Sequence, residues 1–107
     1  TTLSNGDLRV RCSPGTRARV RLGKGIHGAS VADRRMKHAT LTNTIQYQLY
    51  TTAERTTVWN DTVGYVMEFN NDTAVDLSVY GRIPIQTSPP SGVYTDQVIV
   101  TVDIEAM

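Results

Sequence analysis

The stretch Leu8-Arg9-Val10-Arg11-Cys12-Ser13-Pro14-Gly15-Thr16-Arg17-Ala18-Arg19-Val20-Arg21-Leu22 decides the fold class of this chain. Leu8, Val10 and Cys12 alternate with Arg9 and Arg11, and beyond Ser13-Pro14-Gly15-Thr16 the same period recurs as Ala18, Val20 and Leu22 against Arg17, Arg19 and Arg21. Successive side chains of an extended strand point to opposite faces, so the pattern sets an apolar face against a basic one. The Pro-Gly break between the two runs predicts a hairpin with one buried and one basic side.

Working outward, Gly23-Lys24-Gly25-Ile26-His27-Gly28 interrupts the alternation, and the polar stretch to Thr42 carries no period; a long loop is expected there. Alternation resumes with Ile45, Tyr47 and Leu49 against Gln46, Gln48 and Tyr50. Thr51 to Arg55 fits a helical turn, and Thr57-Val58-Trp59 a further short strand. Turns at Asn60-Asp61-Thr62 and Asn70-Asn71-Asp72 flank Tyr65, Met67 and Phe69, after which Val75, Leu77 and Val79 alternate with Asp76, Ser78 and Tyr80. A Ser/Pro loop, Thr87 to Gly92, leads to a last strand with Val98, Val100, Val102 and Ile104 on one face. Short strands separated by turn signals, with no sustained helical period, predict an all-β sandwich.

The chain has 107 residues, the size of one domain, so residues 1–107 are read as a single unit. No apolar run approaches the roughly 20 residues of a membrane-crossing helix, so membrane insertion is not expected. The start, from Thr1 to Gly6, has neither a basic cluster nor a hydrophobic segment, and any export signal is expected to have been removed or never included. Residues 1 to 37 carry nine Lys/Arg against two Asp/Glu, and residues 38 to 107 two against eight. That polarity suits nucleic-acid binding or head-to-tail stacking of like subunits.

The arginine stripe of Arg9, Arg11, Arg17, Arg19 and Arg21 would follow phosphates, but no aromatic is interleaved to stack bases. A solvated sheet face is the simpler reading, an anionic partner or surface glycan the next, and nucleic acid is not expected. Cys12, the only cysteine, shares a strand face with Leu8 and Val10 and reads as a buried small hydrophobe. His27 and His38 fall in the polar loop with no carboxylate or cysteine at ligand or triad spacing, and Gly23-x-Gly25-x-x-Gly28 opens no helix. No catalytic residue, metal site or cofactor is therefore assigned, and the chain is not read as an enzyme. Asn60 and Asn71 begin Asn-x-Thr triplets that turn chemistry explains. Tyr47, Trp59, Tyr80 and Tyr94 are expected to fill the core or close strand edges rather than to form a sugar platform.

Ile45-Gln46-Tyr47-Gln48-Leu49-Tyr50-Thr51-Thr52-Ala53-Glu54-Arg55 followed by Trp59 resembles the central motif of spore coat protein U domains, with its Tyr-x-Leu-Tyr, Ala-x-Arg and Trp. Val79-Tyr80-Gly81-Arg82-Ile83-Pro84 and Gly92-Val93-Tyr94-Thr95-Asp96 resemble two further blocks of that family in order and spacing, and Arg35-Met36 falls where the family often has that pair. The family includes subunits of archaic chaperone-usher pili, immunoglobulin-like sandwiches that lack a strand. The resemblance implies a donor-strand partner, either a periplasmic chaperone or a neighbouring pilin, together with an outer-membrane usher. It also implies passage through the periplasm to an extracellular fibre or cell surface, and a role in attachment and biofilm formation. A tip adhesin or lectin-like domain binding a surface glycan, or a spore coat structural protein, is the alternative.

Three departures from the family stand out. The family's domains begin one or two strands earlier, so the N-terminal strand is expected to be truncated or supplied by another chain. With it goes the first cysteine, to which the resemblance would pair Cys12. In addition, Asn60 follows Trp59 where glycine is common, and the chain ends in Ile104-Glu105-Ala106-Met107 rather than near an aromatic.

The resemblance places Tyr80, Gly81, Arg82 and the last strand, with Val98, Val100, Val102 and Ile104, near the polymerisation groove. Tyr47, Leu49, Tyr50, Arg55, Trp59, Tyr94 and Asp96 belong to its structural motif. Gly81 would let a strand bend or a backbone approach, and Arg82 would pair with an acid such as Asp96. A missing strand leaves inward sites together worth on the order of 6 to 15 kcal/mol when filled. That is comparable with the roughly 5 to 15 kcal/mol stability of a whole domain, so the lone chain is expected to be marginal.

Overall fold

The computed structural model describes residues 2–87 and 89–107; Thr1 at the start and Ser88 in the Ser/Pro loop lie outside them. Among the described residues there are β-strands and no helix: β1 (Thr2–Val10), β2 (Thr16–Leu22), β3 (Arg34–His38), β4 (Thr44–Tyr50), β5 (Tyr65–Phe69), β6 (Val75–Ile83), β7 (Tyr94–Thr95) and β8 (Val100–Ala106). They form a five-stranded sheet in the order β1-β6-β4-β3-β7 and a three-stranded sheet in the order β5-β2-β8, every pairing antiparallel. The all-β expectation holds, and the two sheets face each other across a shared core.

The core follows from the alternation. Ala18, Val20 and Leu22 are buried, as are Trp59, Leu77 and Phe69. Leu8, Val10, Leu49, Val79 and Val98 pack around Val20, Leu22, Trp59 and Leu77, while Cys12 closes one end against Ala18 and Phe69. The indole N–H of Trp59 donates to the Val20 carbonyl at 2.8 Å, so the largest core side chain is satisfied as well as buried.

Several local expectations are corrected. The two runs around Ser13-Pro14-Gly15-Thr16 are not a hairpin: β1 pairs with β6 in one sheet and β2 with β5 and β8 in the other. Each strand has one apolar face, and placing them in opposite layers lets those faces bury each other; alternation does not distinguish a strand beside from a strand across. The polar stretch read as a loop contains β3, whose buried residues are Arg34 and His38 rather than apolar ones, so no hydrophobic period announced it.

Thr51 to Arg55 forms turns, with Arg55 at φ 56°, not a helical turn. The strand expected at Thr57-Val58-Trp59 is a single bridge, Tyr50 to Val58. The closing block is divided: Tyr94 and Thr95 pair with His38 and Lys37 in the larger sheet, and the chain then crosses to the smaller one, where β8 starts at Val100 and leaves Val98 outside it.

Candidate functional site

β8 is an edge strand, paired on one side to β2 and on the other, among the described residues, to nothing. Its register sets Val100 across from Leu22, Val102 across from Val20 and Ile104 across from Ala18. Directly opposed residues of an antiparallel pair project to the same face, so all six point into the sandwich. Yet Leu22, Val20 and Ala18 are 2%, 0% and 0% exposed, whereas Val100, Val102 and Ile104 are 43%, 39% and 59% exposed. A row of inward-facing aliphatic side chains along a free backbone edge lacks a covering layer.

The larger sheet supplies the facing wall. On its inner side an apolar pocket of about 350 Å³ opens where Gly6, Gly81, Val79, Leu49, Tyr47 and Met36 meet. The register pairs Gly6 with Val79 and Ser4 with Gly81, so both glycines lie on its floor. A Cβ at Gly81 would meet the Ser4 carbonyl at 3.5 Å and Leu49 at 3.9 Å, and one at Gly6 only Val79 at 3.9 Å; the absent side chains are empty space, not avoided clashes. Leu49 and Val79 also pack against the core cluster of Val20, Leu22, Trp59 and Leu77, as Val98 does.

The frame around this opening is polar and tightly bonded. The Arg34 guanidinium is buried and donates to the carbonyls of Gly23, Leu22 and Trp59 and to Gln48 Oε1, tying β2, β3, β4 and the Trp59 loop together. Burial pulls its pKa below the usual arginine value. Tyr47, across the β3–β4 ladder from Arg34, donates its hydroxyl to Asp96, which also accepts from the Ile26 N–H. Burial first, and that hydrogen bond second, push the Tyr47 pKa well above an ordinary phenol. Arg55 donates to the carbonyls of Gly81 and Ser4 and to the Asn5 side chain, and stacks over Tyr80 at 5.5 Å.

Of the residues singled out from the sequence, Gly81, Tyr47 and Leu49 line the pocket, Val98 packs against the core cluster, and Val100, Val102 and Ile104 form the exposed row on β8. Tyr80 and Arg82 flank Gly81 on β6 and face the other side of the sheet, beside Tyr50 and Gln48. Arg82 does not pair with Asp96, which is engaged by Tyr47 and Ile26. Tyr94 lies at the far edge of the larger sheet, edge-on to His38.

In the arginine stripe Arg9 and Arg11 are exposed and Arg17, Arg19 and Arg21 half-buried, and the charges are largely neutralised across strands. Arg9 pairs with Asp76, Arg11 with Asp72, Arg17 with Glu68 and Glu105, and Arg21 with Asp103, while Arg19 donates to the Val63 carbonyl. Arg9 and Asp76 shift each other's pKa, the arginine up and the carboxylate down, chiefly through their shared hydrogen bond. Sequence reasoning missed Arg34 and Gly6, read Gln48 only as a strand residue of the family motif, and read as a loop histidine His38, which is buried in β3; their roles depend on partners far along the chain. For Arg34 the only signal was a charged residue next to the Arg35-Met36 block.

Comparison with known proteins agrees with this architecture. The sequence profile of the Spore Coat Protein U domain matches residues 1–101. Protein U of Myxococcus xanthus is 34% identical over 103 residues, covering 91% of this chain; the chain spans 58% of that relative's length. A chain in the crystal structure of the CsuC-CsuE chaperone-tip adhesion subunit pre-assembly complex, from the archaic chaperone-usher Csu pili of Acinetobacter baumannii, superposes with a TM-score of 0.74 at 22% identity. The match covers 95% of this chain and 33% of that one. The all-β fold of that pilus subunit is therefore the fold seen here, and the chain belongs to the Spore Coat Protein U domain family, a structural rather than an enzymatic one.

Proposed function

We propose that this chain is a structural subunit of a surface pilus of the chaperone-usher kind, and that the β8 edge with the Gly6–Gly81 pocket accepts a β-strand donated by another polypeptide. The single observation that carries this reading is the exposure of Val100, Val102 and Ile104, which point inward opposite buried Leu22, Val20 and Ala18. A strand laid along β8 would bond its free N–H and C=O groups and drop alternate side chains between the sheets, one of them into the pocket.

The donor would be a periplasmic chaperone first and a neighbouring subunit afterwards, with an outer-membrane usher between the two states. The fibre then serves attachment and biofilm formation. Family membership and the fold shared with a subunit crystallised beside its chaperone support this order of events.

The test is strand addition itself. Purified chain is mixed with synthetic peptides of alternating Val and Thr, and thermal unfolding is followed. A rise in Tm that scales with peptide concentration, and is abolished by Val102→Lys, is expected. Cooperative melting as a monomer that no such peptide shifts would overturn the reading.

A further inference from the structure

We infer that the outer face of the larger sheet carries a second, polar site, built from Arg82, Tyr50, Gln46 and Asp33, that binds an acidic saccharide of the uronate class. These residues line a hollow of about 300 Å³ over the junction of β3, β4 and β6. It lies on the opposite side of β6 from the pocket floored by Gly81, because Arg82 and Gly81 are successive residues of one strand. Arg82 and Tyr47 border both openings, but Asp33, Gln46 and Tyr50 border this one and not the pocket, so the site is distinct from the strand-acceptor opening and does not depend on that reading.

The hydrogen-bonding inventory identifies the ligand chemistry. Arg9, Arg11, Arg17, Arg21 and Arg35 each have a carboxylate partner, and Arg34 and Arg55 are held by backbone carbonyls. Arg82, which is exposed, has no partner among the described residues, and the acid expected for it, Asp96, is committed to Tyr47 and Ile26. The Tyr50 hydroxyl is likewise without a partner there.

Asp33 uses Oδ1 to accept from Arg35 and from the Gln46 amide N–H, which leaves Oδ2 and Gln46 Oε1 as open acceptors. The hollow thus combines a planar cationic donor fork, suited to a carboxylate, with acceptors suited to sugar hydroxyls and a tyrosine at its margin. A neutral sugar leaves the guanidinium unused, and an acidic peptide offers no hydroxyl array to Asp33 and Gln46. A hexuronic acid satisfies both sets.

The hollow is also rigidly based. Gln86 bonds the Gln46 backbone through both its amide oxygen and its amide nitrogen, and Gln48 is fixed between Arg34 and the Val31 carbonyl, so binding orders little further.

The experiment titrates the chain with tri-galacturonate, with tri-glucuronate and, as the neutral control, with cellotriose, reading amide shifts by NMR and affinity by calorimetry. Saturable shifts centred on Gln46, Tyr50 and Arg82 are expected for the uronates, with cellotriose at least about tenfold weaker. Arg82→Gln should remove that preference and Arg82→Lys restore part of it, each with the wild-type melting temperature because the side chain is exposed. Equal affinity for acidic and neutral sugars, no saturable shift, or shifts confined to the arginine face of β2 would overturn the assignment. Parallel measurement with the strand peptides bound keeps the two sites distinguishable, since uronate affinity should be unchanged when the β8 edge is filled.

Discussion

Val102 and Val20 sit directly across a β-ladder from each other and point into the same interior, yet Val20 is fully buried and Val102 is 39% exposed. The difference lies in position: β2 is the middle strand of its sheet and β8 the edge. Val20→Ala should cost about 2 to 3 kcal/mol in urea unfolding of the free chain, and Val102→Ala clearly less than half of that. With a donor strand bound, the cost at Val102 should rise towards that at Val20, and equal costs in the free chain would contradict an open edge.

Gly81 and Gly92 are expected to respond oppositely to a side chain. A Cβ at Gly81 meets only ordinary contacts, whereas one at Gly92, where φ is 146°, would collide with the His38 ring. Gly81→Ala should change stability by less than about 1 kcal/mol, and Gly92→Ala should cost about 2 kcal/mol or more. Gly81→Val, by filling the pocket, should leave the chain folded while weakening strand-peptide binding far more than Arg17→Ala does.

Arg34 is a structural cation. Its fork satisfies the carbonyls of Leu22, Gly23 and Trp59 and the side chain of Gln48 from within the core, a geometry the lysine ammonium does not reproduce. Both Arg34→Lys and Arg34→Ala should cost about 3 kcal/mol or more, because buried acceptors are left unpaired. Denaturant midpoints of the two variants check this.

Tyr47 predicts an alkaline limb in stability. Its pKa is raised in the folded chain, by burial and by donation to Asp96, so the folded state holds a proton that the unfolded state releases above about pH 10. The stabilisation is complete below the unfolded pKa and is lost as pH rises through the alkaline range towards the folded value. Tyr47→Phe should be less stable at pH 7 by about 1 kcal/mol and should show a shallower loss above pH 10.

Asp76 predicts the opposite limb. Hydrogen bonding and attraction from Arg9 hold its carboxyl below the usual carboxylate range. Whatever stability the pair contributes is present above the unfolded pKa of about 4 and disappears as pH falls through the lower folded value. Carbon-detected NMR titration should place the Asp76 midpoint below that of a free aspartate and return it on Arg9→Gln. Because both groups are exposed, the melting temperature should hardly move.

Strand identity was written in the sequence wherever one face is apolar. Ala18-x-Val20-x-Leu22, Ile45-x-Tyr47-x-Leu49 and Tyr65-x-Met67-x-Phe69 announced β2, β4 and β5, because a period of two commits a backbone to extension whatever lies beside it. The three family blocks likewise pointed to the sandwich and to Gly81 and β8 without any coordinates. What alternation does not encode is which strand lies beside and which lies across.

Only the tertiary structure put β1 and β2 in different layers, turned the polar stretch into β3 around a buried Arg34, and moved Arg82 to the face opposite Gly81. It alone made β8 an edge. Burial of a charged side chain depends on carbonyls gathered from residues remote in sequence, and an open edge depends on which strand has no neighbour. Both are properties of chain placement rather than of local pattern, so the sequence determined the strands and the structure decided where the sandwich is left unfinished.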